Sequence, residues 1–169
     1  ADQEYRSEQS MPMMAKILSR HHGFDCTVLF GVNEKGEVDP TMPVYPKKGK
    51  EDEFKSHEIP GLEHLASADL VIFFTRLLTL PAKQQERIVA YLDSGKPMIA
   101  LRTANHGFRG PLPYKIDDKR VNFGNDVLGG SFRGHHGRWH ADSTRGAIAK
   151  EQKNHPIVSG VKDIWGPSD

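Results

Sequence analysis

Two unbroken apolar runs, Asp69-Leu-Val-Ile-Phe-Phe-Thr75 and Pro97-Met-Ile-Ala-Leu101, constrain the fold more than any other feature of this chain. A compact run without polar alternation suits a strand covered on both faces, as a central parallel strand is between two layers of helices. Between the runs, Pro81 opens a helical stretch, Ile88, Tyr91 and Leu92 give it an apolar side, and Gly95 ends it. Strand, helix and strand at this spacing make a right-handed crossover, and the class it predicts is α/β, an open parallel sheet with helices on both sides.

The flanking segments extend this reading. Ser10 and Pro12 mark the start of a first helix, Met14, Ile17 and Leu18 share one face, and Gly23 closes it. That helix is expected to cover one face of the sheet. CTVLFG at 26–31 reads as a further buried strand, with Cys26 packed and inert inside it. Residues 31–60 form a long excursion anchored by Val44 and Tyr45, either a rim of the functional cleft or a mobile insertion. A helical turn is expected at 62–65, an edge strand at 146–149 and a turn at 155–158. A doubly wound domain normally opens with a strand, whereas this chain opens with a helix and stops at IWGPSD. The expectation is therefore one domain, 1–169, belonging to a longer protein.

In open α/β sheets, ligands bind beyond the carboxyl ends of the strands, where loops diverge and helix N-termini present free amides. That rule selects Thr75 and Arg76 after one run, and Arg102, Thr103, Asn105 and His106 after the other. An arginine leaving a buried strand offers a fixed fork of donors for a carboxylate, phosphate or sugar hydroxyl. The competing role is a salt bridge to a loop carboxylate. His106 is the best candidate for proton transfer, because an imidazole titrates near neutrality; a structural bond to a backbone carbonyl is the alternative.

Glu4 and Arg6 precede the first helix and are placed to face the same mouth, or else Ser7 caps the helix while Glu4 and Glu8 complement its dipole. The segment Gly134-His-His-Gly-Arg-Trp-His140, followed by Asp142 and Arg145, gathers imidazoles and a carboxylate. His135, His136 and His140 suit a divalent metal such as zinc, or a polar cleft without metal, and the spacing matches no HExxH helix. His21, His22, His57 and His64 read as surface positions, and His155 before Pro156 as turn chemistry.

Composition and absent motifs narrow the function classes. The net charge is +1 with basic and acidic residues interleaved, which argues against nucleic acid. No apolar run approaches a membrane span and the N-terminus lacks signal-peptide regions, so a protein free of the membrane, cytoplasmic rather than exported, is expected. A single cysteine leaves no disulfide framework. GxSxG, GxxxxGK[ST] and GxGxxG are all missing, which removes support for serine hydrolase, nucleotide hydrolase and dinucleotide oxidoreductase readings.

The blocks DQEYRSEQ, DLVIFFTR, SGKPMIALRTANHGF, the HHG segment with STRG, and NHPIVSGVKDIWGPSD together resemble the trehalose utilisation (ThuA-like) family. The resemblance spans nearly the whole chain, and ALRTANHGF and the HHG to STRG blocks are its most specific parts. It implies a three-layer, flavodoxin-like sheet of the class I glutamine amidotransferase type, and a link to disaccharides or their oxidised keto forms. Where amidotransferases carry a nucleophilic cysteine, this chain has Arg102-Thr103-Ala104, so glutamine hydrolysis by that route is chemically excluded. The family pattern also begins with an apolar strand and continues past DIWGPSD, in keeping with the longer protein expected above.

The leading expectation is an enzyme acting on a small-molecule carbohydrate by proton abstraction beside a carbonyl, isomerisation or hydrolysis. His106, Arg102 and His136 would carry catalysis, with Glu4, Tyr5, Arg6, Arg76, Thr103, Asn105, His135 and Arg145 binding substrate. The sequence specifies no cofactor, and a divalent metal such as zinc at His135, His136 and His140 would make a metal-dependent hydrolase. A non-catalytic carbohydrate-binding or scaffolding domain is the other reading. Assembly into a homo-oligomer is compatible with either.

Overall fold

The computed structural model describes residues 5–44, 48–50, 56–135, 137–138 and 141–167. The chain divides into two compact units, Ala1–Phe132 and Arg133–Asp169. The architecture is mixed α/β, built on small two-stranded sheets.

The first unit contains the crossover predicted from the apolar runs. Strand β1, Val71–Phe73, pairs in parallel with β2, Met98–Ala100, in the register Val71 to Met98, Ile72 to Ile99 and Phe73 to Ala100. Helix α2, Ala82–Asp93, connects them and turns its Ile88 and Tyr91 into the core. Pro81 caps its start, where the missing amide is harmless, and the chain turns beyond its end through Gly95 at φ 66°. Tyr91 donates its hydroxyl to the Pro97 carbonyl at 2.7 Å, and the Gln84 side chain exchanges two hydrogen bonds with the Ile59 backbone, tying α2 to both neighbours. A 310 turn, Leu62–Ala66, follows Ile59 and contributes Leu62 and Leu65 to the core.

At the centre Phe73, Phe108 and Phe123 form an edge-to-face trio with centroids 5.0–6.2 Å apart, a geometry that adds about 0.5–1.5 kcal/mol per pair beyond burial. Phe123 enters it from a π turn, Phe123–Val127. Asn122 and Asp126 lock that turn reciprocally: Asn122 Oδ1 accepts from the Asn125 amide and Asp126 Oδ2 from the Asn122 amide. Strands β3, Lys115–Ile116, and β4, Lys119–Arg120, form a small exposed hairpin before it, turning through Asp117 and Asp118 at positive φ.

Three expectations are corrected here. Helix α1, Ser7–His22, forms and ends at Gly23 as its pattern predicts, but on its apolar side Ile17 is 53% exposed and Met14 and Leu18 are only half-buried, so that side is not sealed in a core. Its start lies three residues before Ser10, which leaves Pro12 inside the helix. CTVLFG forms no strand among the described residues, and Cys26 is half-buried rather than sealed in a core. Nor is the parallel pair covered on both faces: Phe73 is buried on one, while Ile99 on the other is 46% exposed. The cause is shared. A strand needs a neighbouring backbone for its hydrogen bonds, whereas a helix satisfies its own, so α1 forms as its pattern predicts while 26–31 joins no strand pair among the described residues.

Among the described residues, the excursion 31–60 has no regular element. Its ends are joined by an antiparallel bridge between Val32 and Glu58. In the second unit β5, Ser143–Gly146, pairs antiparallel with β6, Ile164–Pro167. The strand foreseen at 146–149 therefore lies three residues earlier, and the 155–158 turn is a 310 turn, Pro156–Val158, whose Ile157 amide donates to His155 Nδ1. Among the described residues no helix is long and apolar enough to cross a membrane.

Candidate functional site at the strand ends

Parallel register brings the carboxyl ends of β1 and β2 to the same end of the pair, and the segments beyond them are stitched together. The Leu101 amide donates to Phe73 O at 2.8 Å, Thr103 Oγ1 to Thr75 O at 2.9 Å, and the Leu77 and Leu78 amides to the carbonyls of His106 and Gly107 at 2.9 and 2.8 Å. Two residues turn the chain through left-handed backbone, Leu77 at φ 48° and Arg102 at φ 46°. For residues bearing a Cβ such a conformation costs about 1–2 kcal/mol, and it persists here because the surrounding bonds fix both segments. A Cβ on Gly107 would overlap the Thr75 hydroxyl, so only glycine allows this close approach.

Beyond Arg102 the chain makes a 310 turn, Arg102–His106, with Thr103 and Ala104 buried and Asn105 and His106 half-buried. The π turn backs it, with Gly124 pressed against the Asn105 carbonyl where any side chain would collide. The His106 ring tilts against Phe132 at 5.0 Å between centroids, and its Nδ1 lies 2.7 Å from Asn105 Oδ1. Burial, reinforced by the Arg76 guanidinium, holds its pKa below the ordinary 6.5. The ring is therefore neutral at pH 7 and available as a base.

Tyr5 brings the segment before α1 to this mouth. Its ring lies 6.0 Å from that of Phe74, and the Arg102 guanidinium carbon sits 4.8 Å above its centroid, within cation–π range. Arg6 occupies the cap position of α1 in a left-handed conformation without a side-chain cap, and Ser7 is buried inside the first turn rather than capping it. Tyr5, Arg76, Arg102, Thr103, Asn105 and His106 thus belong to one neighbourhood. Glu4 lies outside the described residues.

No family model, curated protein or solved structure matches the chain.

The remaining candidates belong to the second unit, described by itself. His135 is exposed. Arg145 is exposed on β5, ion-paired with Asp163 and 5.8 Å over the ring of Trp165, its cross-strand partner. His136 and His140 lie outside the described residues, and among the described residues no three metal-ligating side chains converge.

Sequence reasoning missed three features. Phe132 carries no local signal that it would meet His106. Gly124 looks like an ordinary loop glycine until Asn105 is placed against it. His57, expected on the surface, is 1% exposed, with Nε2 3.0 Å from Pro43 O and Nδ1 accepting from the Thr79 amide at 2.9 Å. Burial lowers its pKa, and the Thr79 amide, which can donate only to an unprotonated Nδ1, favours the same neutral ring, while the bond to Pro43 O opposes the shift. The alternation of buried His57 and Ile59 about exposed Glu58 was the available sign.

Proposed function

We propose that this chain is a ThuA-like domain of carbohydrate metabolism, with the layered architecture of the class I glutamine amidotransferases, acting on a keto-sugar or oxidised disaccharide by proton transfer. His106 is the base that removes a proton from the carbon beside the carbonyl, and Arg76 and Arg102 supply positive charge toward the oxygen on which negative charge develops. One observation carries this reading: a half-buried, neutral imidazole beside Arg76, at the shared end of two parallel strands. On this reading Arg102-Thr103-Ala104 stand where an amidotransferase carries its thiol, and the single cysteine, Cys26, lies far along the sequence.

Deuterium exchange tests the proposal. Trehalose carrying one ring ketone, incubated with the protein in D2O, should exchange at the carbon next to the carbonyl, and His106→Ala should slow that exchange by about 100-fold or more. The acidic limb of the rate should lie below pH 6.5, because the base is lost only when His106 takes up a proton. Equal exchange by the wild type and His106→Ala would remove the assignment.

A further inference from the structure

We propose that Asn105 is a positioning residue that fixes His106 in the Nδ1–H tautomer, leaving Nε2 as the ring's basic nitrogen. The functional meaning of this rests on the proton-transfer reading above, whereas the tautomer is a property of the folded chain and can be measured without substrate.

The argument begins with protonation. A neutral imidazole carries one hydrogen, on Nδ1 or on Nε2, and free in water it prefers Nε2. At His106 the group facing Nδ1 is the Asn105 side-chain oxygen at 2.7 Å, and a carbonyl oxygen can only accept. That contact is a hydrogen bond if Nδ1 holds the proton and a clash of lone pairs if it does not. The ring remains neutral because burial and Arg76, the charged group bearing on it, both disfavour the imidazolium. Asn105 therefore opposes the ring's intrinsic preference for Nε2–H and selects the Nδ1–H form.

Its backbone is held for that task. Gly124 of the π turn closes on the Asn105 carbonyl, Thr103 is bonded to Thr75, and the His106 carbonyl accepts from Leu77. Phe132 lies against the imidazole. An asparagine suits this position better than a carboxylate: it offers the acceptor without a negative charge that would draw a proton onto the ring and remove the base at neutral pH.

Nitrogen-15 spectra of the full chain labelled in its imidazoles, with the His106 signals assigned by their loss in His106→Gln, give the tautomer directly. In the wild type at pH 7.5 the His106 Nδ1 should be the protonated nitrogen. Asn105→Ala should move the proton to Nε2. Asn105→Asp should keep it on Nδ1 while raising the titration midpoint of His106 by about one pH unit or more, a rescue that a merely space-filling residue would not give. Nε2–H in the wild type, which would mean that the Asn105 amide nitrogen faces the ring, overturns the proposal, as does an unchanged tautomer in Asn105→Ala. Because the wild-type spectrum decides first, a variant that fails to fold does not shield the idea. Should His106→Ala exchange the keto-sugar at the wild-type rate while His106 is Nδ1–H, the proton-transfer reading fails and the tautomer assignment stands.

Discussion

The mouth of the parallel pair and the hairpin of the second unit carry similar residue types in different settings. At the mouth His106 is half-buried beside Arg76, resting on a turn backed by the Phe73, Phe108 and Phe123 cluster. On the hairpin His135 and Arg145 are exposed, and Trp165 is 68% exposed beneath the guanidinium. Exposed charges are screened by water and an exposed ion pair contributes about 0–1 kcal/mol. An imidazole taken partly out of water and subject to the Arg76 charge behaves differently, because each interaction is stronger there. The difference teaches that a histidine acquires unusual chemistry from what stands behind it, and a histidine-rich sequence supplies no such backing by itself.

The contrast predicts a graded set of effects. Phe123→Ala should destabilise the first unit by about 3–5 kcal/mol, since it removes one member of the aromatic trio and opens a cavity; denaturant unfolding followed by near-UV circular dichroism reads this, and a loss below 1 kcal/mol would mean that the cluster does not support the mouth. His57→Ala should cost about 2–4 kcal/mol by stranding the Thr79 amide and the Pro43 carbonyl away from water. His57 also gives the first unit a pH dependence. Its folded pKa lies below the unfolded 6.5, so the unfolded chain binds the proton more readily. Stability is full above about pH 6.5 and falls as the pH drops from there toward the folded pKa, and His57→Gln should flatten this slope.

Gly124→Ala should cost about 1–3 kcal/mol and displace the Asn105–His106 turn, visible as changed His106 imidazole shifts. On the hairpin, Trp165→Ala should change stability by no more than about 0.5 kcal/mol; a large loss there would erase the distinction between the two regions. Thr75→Val should be the mildest, neutral or slightly stabilising, because the Thr75 hydroxyl is buried with no hydrogen-bond partner among the described residues.

Much of the mouth was legible. The apolar runs at 69–75 and 97–101, with Pro81 and Gly95 bracketing a helix, located β1, α2 and β2, and the rule that ligands lie beyond parallel strand ends then singled out Arg76, Arg102 and His106. Periodicity works there because helix and strand alternate over a short stretch of chain. His57 was misread because a polar residue can be buried whenever distant backbone groups satisfy it, here Pro43 and Thr79.

By itself the sequence determined the features whose hydrogen bonds or sterics are local: the Gly23 stop of α1, and α2 between its proline and glycine. Only the tertiary structure decided which extended runs became strands, that Gly124 would lie against Asn105, and that Phe132 and Arg76 would shape His106. Helices and turns close their bonds within a few residues, whereas strands, buried imidazoles and close backbone approaches depend on partners distant in sequence.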